Sequence, residues 1–322
     1  MSNSQHPGED SNEPTPERAE QLKEAGELLK EWAEATKGED SQAAAIARLK
    51  IWAQFGKMKE EPSPWLDAMR EARRCEAAFD WAGAEASYQR AIASSPDSPG
   101  LQYGGYRELA YFYRLLGRDA EALQAKRQAT DWARLDGLAI KIAMALEAEA
   151  AGYLLLKDLP TAWAKLEEAF NFIGDDLLLR LPRARGFILR ADYFLAVDDI
   201  TQAHNALNAA WPLVQPHADA FSSLGWQSSL AHGWSTMARL RAAQDDLVGA
   251  IAPYREAVHR WRIIAQAPHA QGPYKFNSLA GALRDLGCAL RAVGDPLAKD
   301  AFQESHSIRR SIGLLPLEES PL

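Results

Sequence analysis

Along most of the chain, apolar and small residues recur three and four positions apart, the spacing of an α-helix with one buried face. Sustained apolar–polar alternation bounded by turn residues is absent, so the pattern predicts almost no strand. Residues 1–16, rich in Ser, Asn, Glu, Gly and Pro, lack the helical spacing and read as a disordered tail. A helix is predicted from Glu17 to Thr36, with Leu22, Ala25, Leu29 and Trp32 on one stripe, and Lys37-Gly38 end it. A second is predicted from Ser41 to Lys59, with Ala45, Leu49, Trp52 and Phe55 in line. Together they make residues 17–62 an N-terminal helical hairpin, broken off by Glu61-Pro-Ser-Pro64.

From Trp65 the pattern becomes repetitive. Trp65 to Pro99 reads as two short helices and a tight turn, with Ala72 in the first helix, Ala84, Tyr88 and Ala91 in the second, and Pro96 as a stop. Small residues at Ala72 and Ala84 let the two helices approach closely, and Tyr88 fills the next layer. Similar units follow. They carry Leu109, Ala110, Tyr113, Gly117, Ala122 and Ala129, then Ala150, Tyr153, Ala162, Leu166 and Ala169. Further on come Ala191, Phe194, Ala203, Leu207 and Ala210 with Pro216 as a stop, then Ala238, Ala250, Tyr254 and Ala257. The last has Leu286, Gly287, Leu290, Gly294, Ala298 and Phe302. In five units the paired small residues are twelve apart, and in the last the spacing is one residue shorter. First helices are predicted over Leu138–Lys157, Pro182–Val197 and Ala218–Ala243. Pro253 falls about a turn and a half into a second helix, which must therefore start late or kink.

The small–small–aromatic–small–proline order resembles the tetratricopeptide repeat (TPR). The second-helix alanines at 84, 122, 162, 203, 250 and 298 set a period longer than the usual 34 residues. In this the chain is similar to the extended arrays of signalling nucleotidases and motor light chains. The resemblance implies an all-α fold: a right-handed, TPR-like α-solenoid of about six helix–turn–helix units over residues 63–313, capped by the hairpin. Residues 314–322 are expected to fray.

Composition narrows the function. The chain has 322 residues, 47% apolar and 25% charged, ample for a buried core. A net charge of −8 argues against general nucleic-acid binding. No membrane span is predicted, because the most apolar stretch, Leu138 to Leu156, is interrupted by Lys141, Glu147 and Glu149. With no signal-peptide pattern and two well-separated cysteines, Cys75 and Cys288, read as packed thiols, a cytoplasmic protein is expected.

Candidate chemistry is sparse. The pairs Asp175-Asp176, Asp198-Asp199 and Asp245-Asp246 could work as acid and base, yet two of them precede second helices, where aspartate caps a helix. Seven scattered histidines form no HExxH or His/Cys cluster, and phosphate-loop, dinucleotide and GxSxG motifs are missing. No metal, cofactor or catalytic residue is therefore assigned. Trp81, Trp163, Trp211, Trp234 and Trp261 read as packing residues between helices.

The resemblance implies that first helices line a concave groove. Taking the positions six and three before each first-helix small residue, and one and four after it, selects a row of candidate partner-binding residues. They are Arg73, Arg107, Tyr111, Arg114, Arg185, Asp192, His232, Arg239, Arg284 and Arg291. Arginines dominate the row although the whole chain is acidic, and such opposition in sign points to an acidic partner unless the arginines pair with acids of their own chain. Relatives that bind chaperone tails hold a C-terminal carboxylate with Lys and Asn; here Met69, Arg73 and Glu108 stand in those places. The function expected is a non-catalytic scaffold, adaptor or regulatory subunit binding a partner protein, as an acidic peptide segment, in the groove. The alternatives are a regulatory subunit binding RNA or another polyanion through the arginine row, and an enzyme on an α/α scaffold.

Overall fold

The computed structural model describes residues 63–173, 179–217, 224–267 and 272–319, with single helical positions between 20 and 31. The predicted tail, nearly all of the hairpin over 17–62, and Asp175-Asp176 lie outside the described residues. The chain divides into two units, Met1–Ser63 and Pro64–Leu322, and the second carries the repeats.

Every regular element described in that unit is helical. In order these are α1 (Pro64–Ala77), α2 (Trp81–Ala93), α3 (Pro99–Leu115), α4 (Asp119–Asp136), α5 (Ala139–Leu155) and α6 (Leu159–Ile173). They continue with α7 (Arg180–Ala196), α8 (Ile200–Val214), a 3-10 turn at Gln215–His217, α9 (Leu224–Ala243), α10 (Leu247–Gln266), α11 (Tyr274–Ala292) and α12 (Ala298–Ser311). Odd-numbered helices are the first of each pair and even-numbered helices the second. Each pair also leans on the next, and α5, α7 and α9 touch side by side as a row of first helices.

The small residues selected from the sequence are the points of closest packing. Ala72, Ala84, Ala150, Ala162, Ala191, Ala203, Ala238 and Ala250 have no exposed surface, and Ala110 and Ala122 are nearly as deep. A leucine at such a place would have to push two helices apart, at a typical cost of about 1–3 kcal/mol. In the last pair the place belongs to Gly287, where an added Cβ would sit 2.8 Å from the Phe302 ring. Glycine is what lets that ring lie against the α11 backbone.

The short spacing of the last unit has a local origin. Each pair turns through one residue of positive φ: Phe79, Gly117, Lys157, Asp198, Asp245 and Gly294. In all six pairs this residue stands seven positions after the first small residue. The second small residue then follows five positions on, except after Gly294, where Ala298 follows four on. The missing residue is in the last turn and not in the helix packing.

Aspartate governs these turns. Asp80, Asp158, Asp199 and Asp246 each accept a bond from the backbone N–H three residues on, at 2.9–3.3 Å, satisfying a donor that a helix start leaves open. In Asp198-Asp199 and Asp245-Asp246, the first residue takes the left-handed turn and the second caps the helix. Arg118 replaces the cap before α4. It pairs instead with Glu85 and Glu121 and lies 4.4 Å over the Tyr113 ring.

α10 runs from Leu247 through a buried Pro253, so it does not start late. Cys75 and Cys288 are not joined in a disulfide. Trp163 packs on Tyr193 and Trp211 on Trp234, with ring centroids 4.8 and 4.7 Å apart. Residues 314–319, expected to fray, have no regular structure but are bonded to the last pair through Arg309 on the Leu315 carbonyl and Arg291 on Glu319. Finally, the array bends far enough to meet itself. Tyr274 of α11 lies 5.3 Å from Tyr111 of α3, ring centroid to centroid, and Gly313 lies against Phe79.

Candidate functional site

Because α11 returns to α3, the first helices border an open cavity of about 890 Å³. This falls within the size range of ligand pockets, roughly 300–1,000 Å³. Its wall takes Arg107, Glu108, Tyr111 and Arg114 from α3; Glu147, Ala148 and Ala151 from α5; and Arg185 and Leu189 from α7. From α9 come Gly225, Ser228, Ser229 and His232, and from α11 Tyr274 and Lys275. Two second helices reach it as well, α4 through Lys126 and α10 through Trp261 and Ile264.

Five of the ten residues selected from the sequence meet here: Arg107, Tyr111, Arg114, Arg185 and His232. Asp192 and Arg239 stand beside His232 in one network. Arg73, Arg284 and Arg291 do not line the cavity; Arg291 turns away, 5.0 Å over the Phe302 ring, with its guanidinium on Glu319.

The wall drifts along the helices. In α3 it surrounds Ala110, in α7 it lies ahead of Ala191, and in α9 and α11 it lies two to four turns ahead of Ala238 and Gly287. A window fixed about the small residue therefore overshoots in the later units. That is why Arg239, Arg284 and Arg291 were selected and Tyr274, Lys275, Ser228 and Ser229 were not. Extending the helical spacing back along the longer α9 and α11 would have found the latter set. Lys126 carried no such signal, because it belongs to a second helix.

Most arginines of the row are held by acids. Arg107 bonds Glu108 at 2.7 Å, Arg114 bonds Asp119 at 2.7 Å, and Arg284 bonds Asp285 at 2.6 Å. Asp192, only 11% exposed, receives His232 Nε2 at 2.8 Å, the Thr236 hydroxyl at 2.7 Å and Arg239 at 2.7 Å. Burial alone would raise the Asp192 pKa, but Arg239, His232 and the hydroxyl overcome it and hold the carboxyl down to about 2. This network clasps α7 to α9.

Arg185 is different. Its Nε lies 3.6 Å from Glu147, beyond hydrogen-bond distance, and its guanidinium makes no hydrogen bond among the described residues. Glu147 has no exposed surface, and neither carboxyl oxygen has a hydrogen-bond partner. Burial pushes its pKa up to about 8, with Arg185 only partly opposing. Lys126 makes neither a salt bridge nor a side-chain hydrogen bond among the described residues. Burial, with Arg114 adding repulsion, pushes its pKa down to about 8. Tyr103, Tyr111 and Tyr274 surround Arg185 electrostatically.

No described helix is long and apolar enough to cross a membrane. No family model matches the chain, and no curated protein matches it in sequence. Solved structures do share its fold. It is similar to a Rap protein complexed with competence and sporulation factor, with a TM-score of 0.56 and 13% identity over 90% of this chain and 78% of that one. It is similar also to NprR in complex with its cognate peptide NprX, with a TM-score of 0.52 and 13% identity over 90% and 79%. At this identity the likeness concerns the fold: a TPR-like helical-repeat solenoid.

Proposed function

We propose that this chain is a peptide-binding regulatory or adaptor protein, whose ligand is an extended segment of a partner or a short free peptide held in the groove. The observation that carries the reading is the cavity itself. It is walled by first helices, offers tyrosine faces and polar side chains, and contains charged groups left without hydrogen bonds. Such groups are costly in an empty wall and become useful against a ligand. The two solved structures named above were determined with a factor or peptide bound, which supports the same reading.

The ligand is proposed to be acidic, at least where it meets Arg185 and Lys126. The polyanion alternative draws less support, because Arg107, Arg114, Arg239, Arg284 and Arg291 are already paired within the chain.

The test fills the groove. Ala148→Trp projects a large ring into the cavity, and Ala93→Trp, at the exposed end of α2, serves as control. Partner or peptide recovery is expected to collapse for the first variant and persist for the second, with circular dichroism showing both folded. Equal recovery by both would place binding elsewhere.

A further inference from the structure

Three side chains stand apart from the paired row, and they come from three different helices. Lys126 leaves the second helix α4 and reaches the cavity past Gly152 of α5, where an added Cβ would lie 3.4 Å from Nζ and 2.9 Å from Leu123 Cδ1. A glycine in a first helix thus opens the passage for a lysine from behind it. Arg185 comes from α7, 28% exposed, with its terminal nitrogens unbonded. Glu147 comes from α5, fully buried, with both oxygens unpartnered and its carboxyl beside the Arg185 guanidinium. Lys126 and Arg185 also line a small recess at the cavity floor, with Tyr103 and Tyr111.

We propose that Lys126 and Arg185 form a carboxylate-binding subsite at the floor of the groove. The proposal rests on the peptide-binding reading and assigns it an anchor. Arg185 has two terminal nitrogens free for a fork onto a carboxylate, and Lys126 supplies a second donor from another direction. The arrangement also differs from a clamp built on first helices alone, since one cation arrives from a second helix. With the Glu147 proton retained at neutral pH, its carboxyl does not cancel the Arg185 charge, so the floor is net positive. The carboxylate can come from the ligand's C terminus or from an Asp or Glu side chain.

The experiment uses the full chain and three mixtures of hexapeptides labelled with an uncharged, carboxylate-free coumarin. The first has free C termini and no Asp or Glu. The second has amidated C termini and includes Asp and Glu. The third is amidated and lacks both. Wild-type protein is expected to retain the first or second mixture at least tenfold more than the third, and the better one identifies the carboxylate source. Lys126→Met and Arg185→Lys are each expected to reduce that preference at least fivefold, while Arg284→Ala leaves it unchanged. If Arg185→Lys unfolds the chain, Lys126→Met still decides. Equal retention of all three mixtures, or an unchanged preference in Lys126→Met, overturns the subsite while leaving peptide binding intact. No retention of any mixture by the wild type overturns the peptide reading and the subsite with it.

Discussion

Two regions of the array look alike in sequence and differ in structure. Between α7 and α9, and on α11, the charged residues are spent on one another: Asp192 gathers His232, Thr236 and Arg239, and Arg284 is closed onto Asp285. Between α3 and α7, Arg185 and Lys126 keep open donors and Glu147 keeps open acceptors. Both regions supply arginines at helical spacing. On α3 Arg107 and Arg114 are closed as well, onto Glu108 and Asp119, so of these cations Arg185 and Lys126 are the two without a hydrogen-bonded acid. A row of like charges is thus a clue to a binding face only after its counter-charges are placed.

This contrast can be broken most forcefully through pH. Glu147 is buried with its pKa raised to about 8, against an ordinary value of 4.5. The folded protein therefore holds a proton that the unfolded chain releases above about pH 4.5. Stability is highest below that value and falls as pH rises towards 8. Glu147→Gln is expected to flatten this slope, and the difference between pH 5 and pH 8 amounts to about 3–4 kcal/mol. Chemical denaturation at both pH values checks it. An unchanged slope would mean that Glu147 is ionised and partnered in solution.

The opposite side has the opposite sign. Asp192 is held down to about 2, so its contribution is complete above about pH 4 and is lost as pH falls towards 2. Asp192→Ala at neutral pH removes the shared acceptor and is expected to cost about 2–3 kcal/mol, less than a fully buried pair because Arg239 is 44% exposed. Urea unfolding of this variant measures it. A loss below about 0.5 kcal/mol, the range of ordinary surface changes, would show that the clasp does not hold α7 to α9.

Smaller effects sharpen the comparison. Gly152→Ala crowds Leu123 Cδ1 and the end of Lys126, both flexible, so a stability loss of about 1 kcal/mol is expected together with a shift of the lysine. Selective 13Cε labelling of lysines would show whether the Lys126 resonance moves. An unmoved resonance would mean that Gly152 does not gate the passage. Arg284→Ala is expected to cost no more than about 0.5–1 kcal/mol, since its partner Asp285 sits beside it on a partly exposed helix face. A larger loss in thermal unfolding would assign this pair to the core of the array.

The fold was legible because helix packing leaves a strong mark. Close approach demands small residues, so Ala84, Ala122, Ala162, Ala203 and Ala250 recur, and all are buried. The turns were legible too, since Asp199 and Asp246 carry the capping chemistry that a helix start needs. The groove was half legible. Arg107, Tyr111 and Arg114 flank their marker alanine and do line it, but the wall crosses the later helices obliquely and leaves the fixed window behind. Pairing was not legible at all. That Asp192 would take Arg239 from 47 residues away, and that nothing would take Lys126, depends on how neighbouring units sit against each other. The sequence places these groups on helices but not opposite one another.

Chemical-shift mapping with the retained hexapeptide mixture reports, residue by residue, where a ligand touches the wall. Perturbations centred on Lys126, Glu147, Ala148 and Arg185, with the Asp192–Arg239 and Arg284–Asp285 pairs unmoved, are the result expected. Perturbations centred on Asp192, Arg239 and Arg284, with Lys126 and Arg185 unmoved, would contradict the division of the array into a held region and an available one.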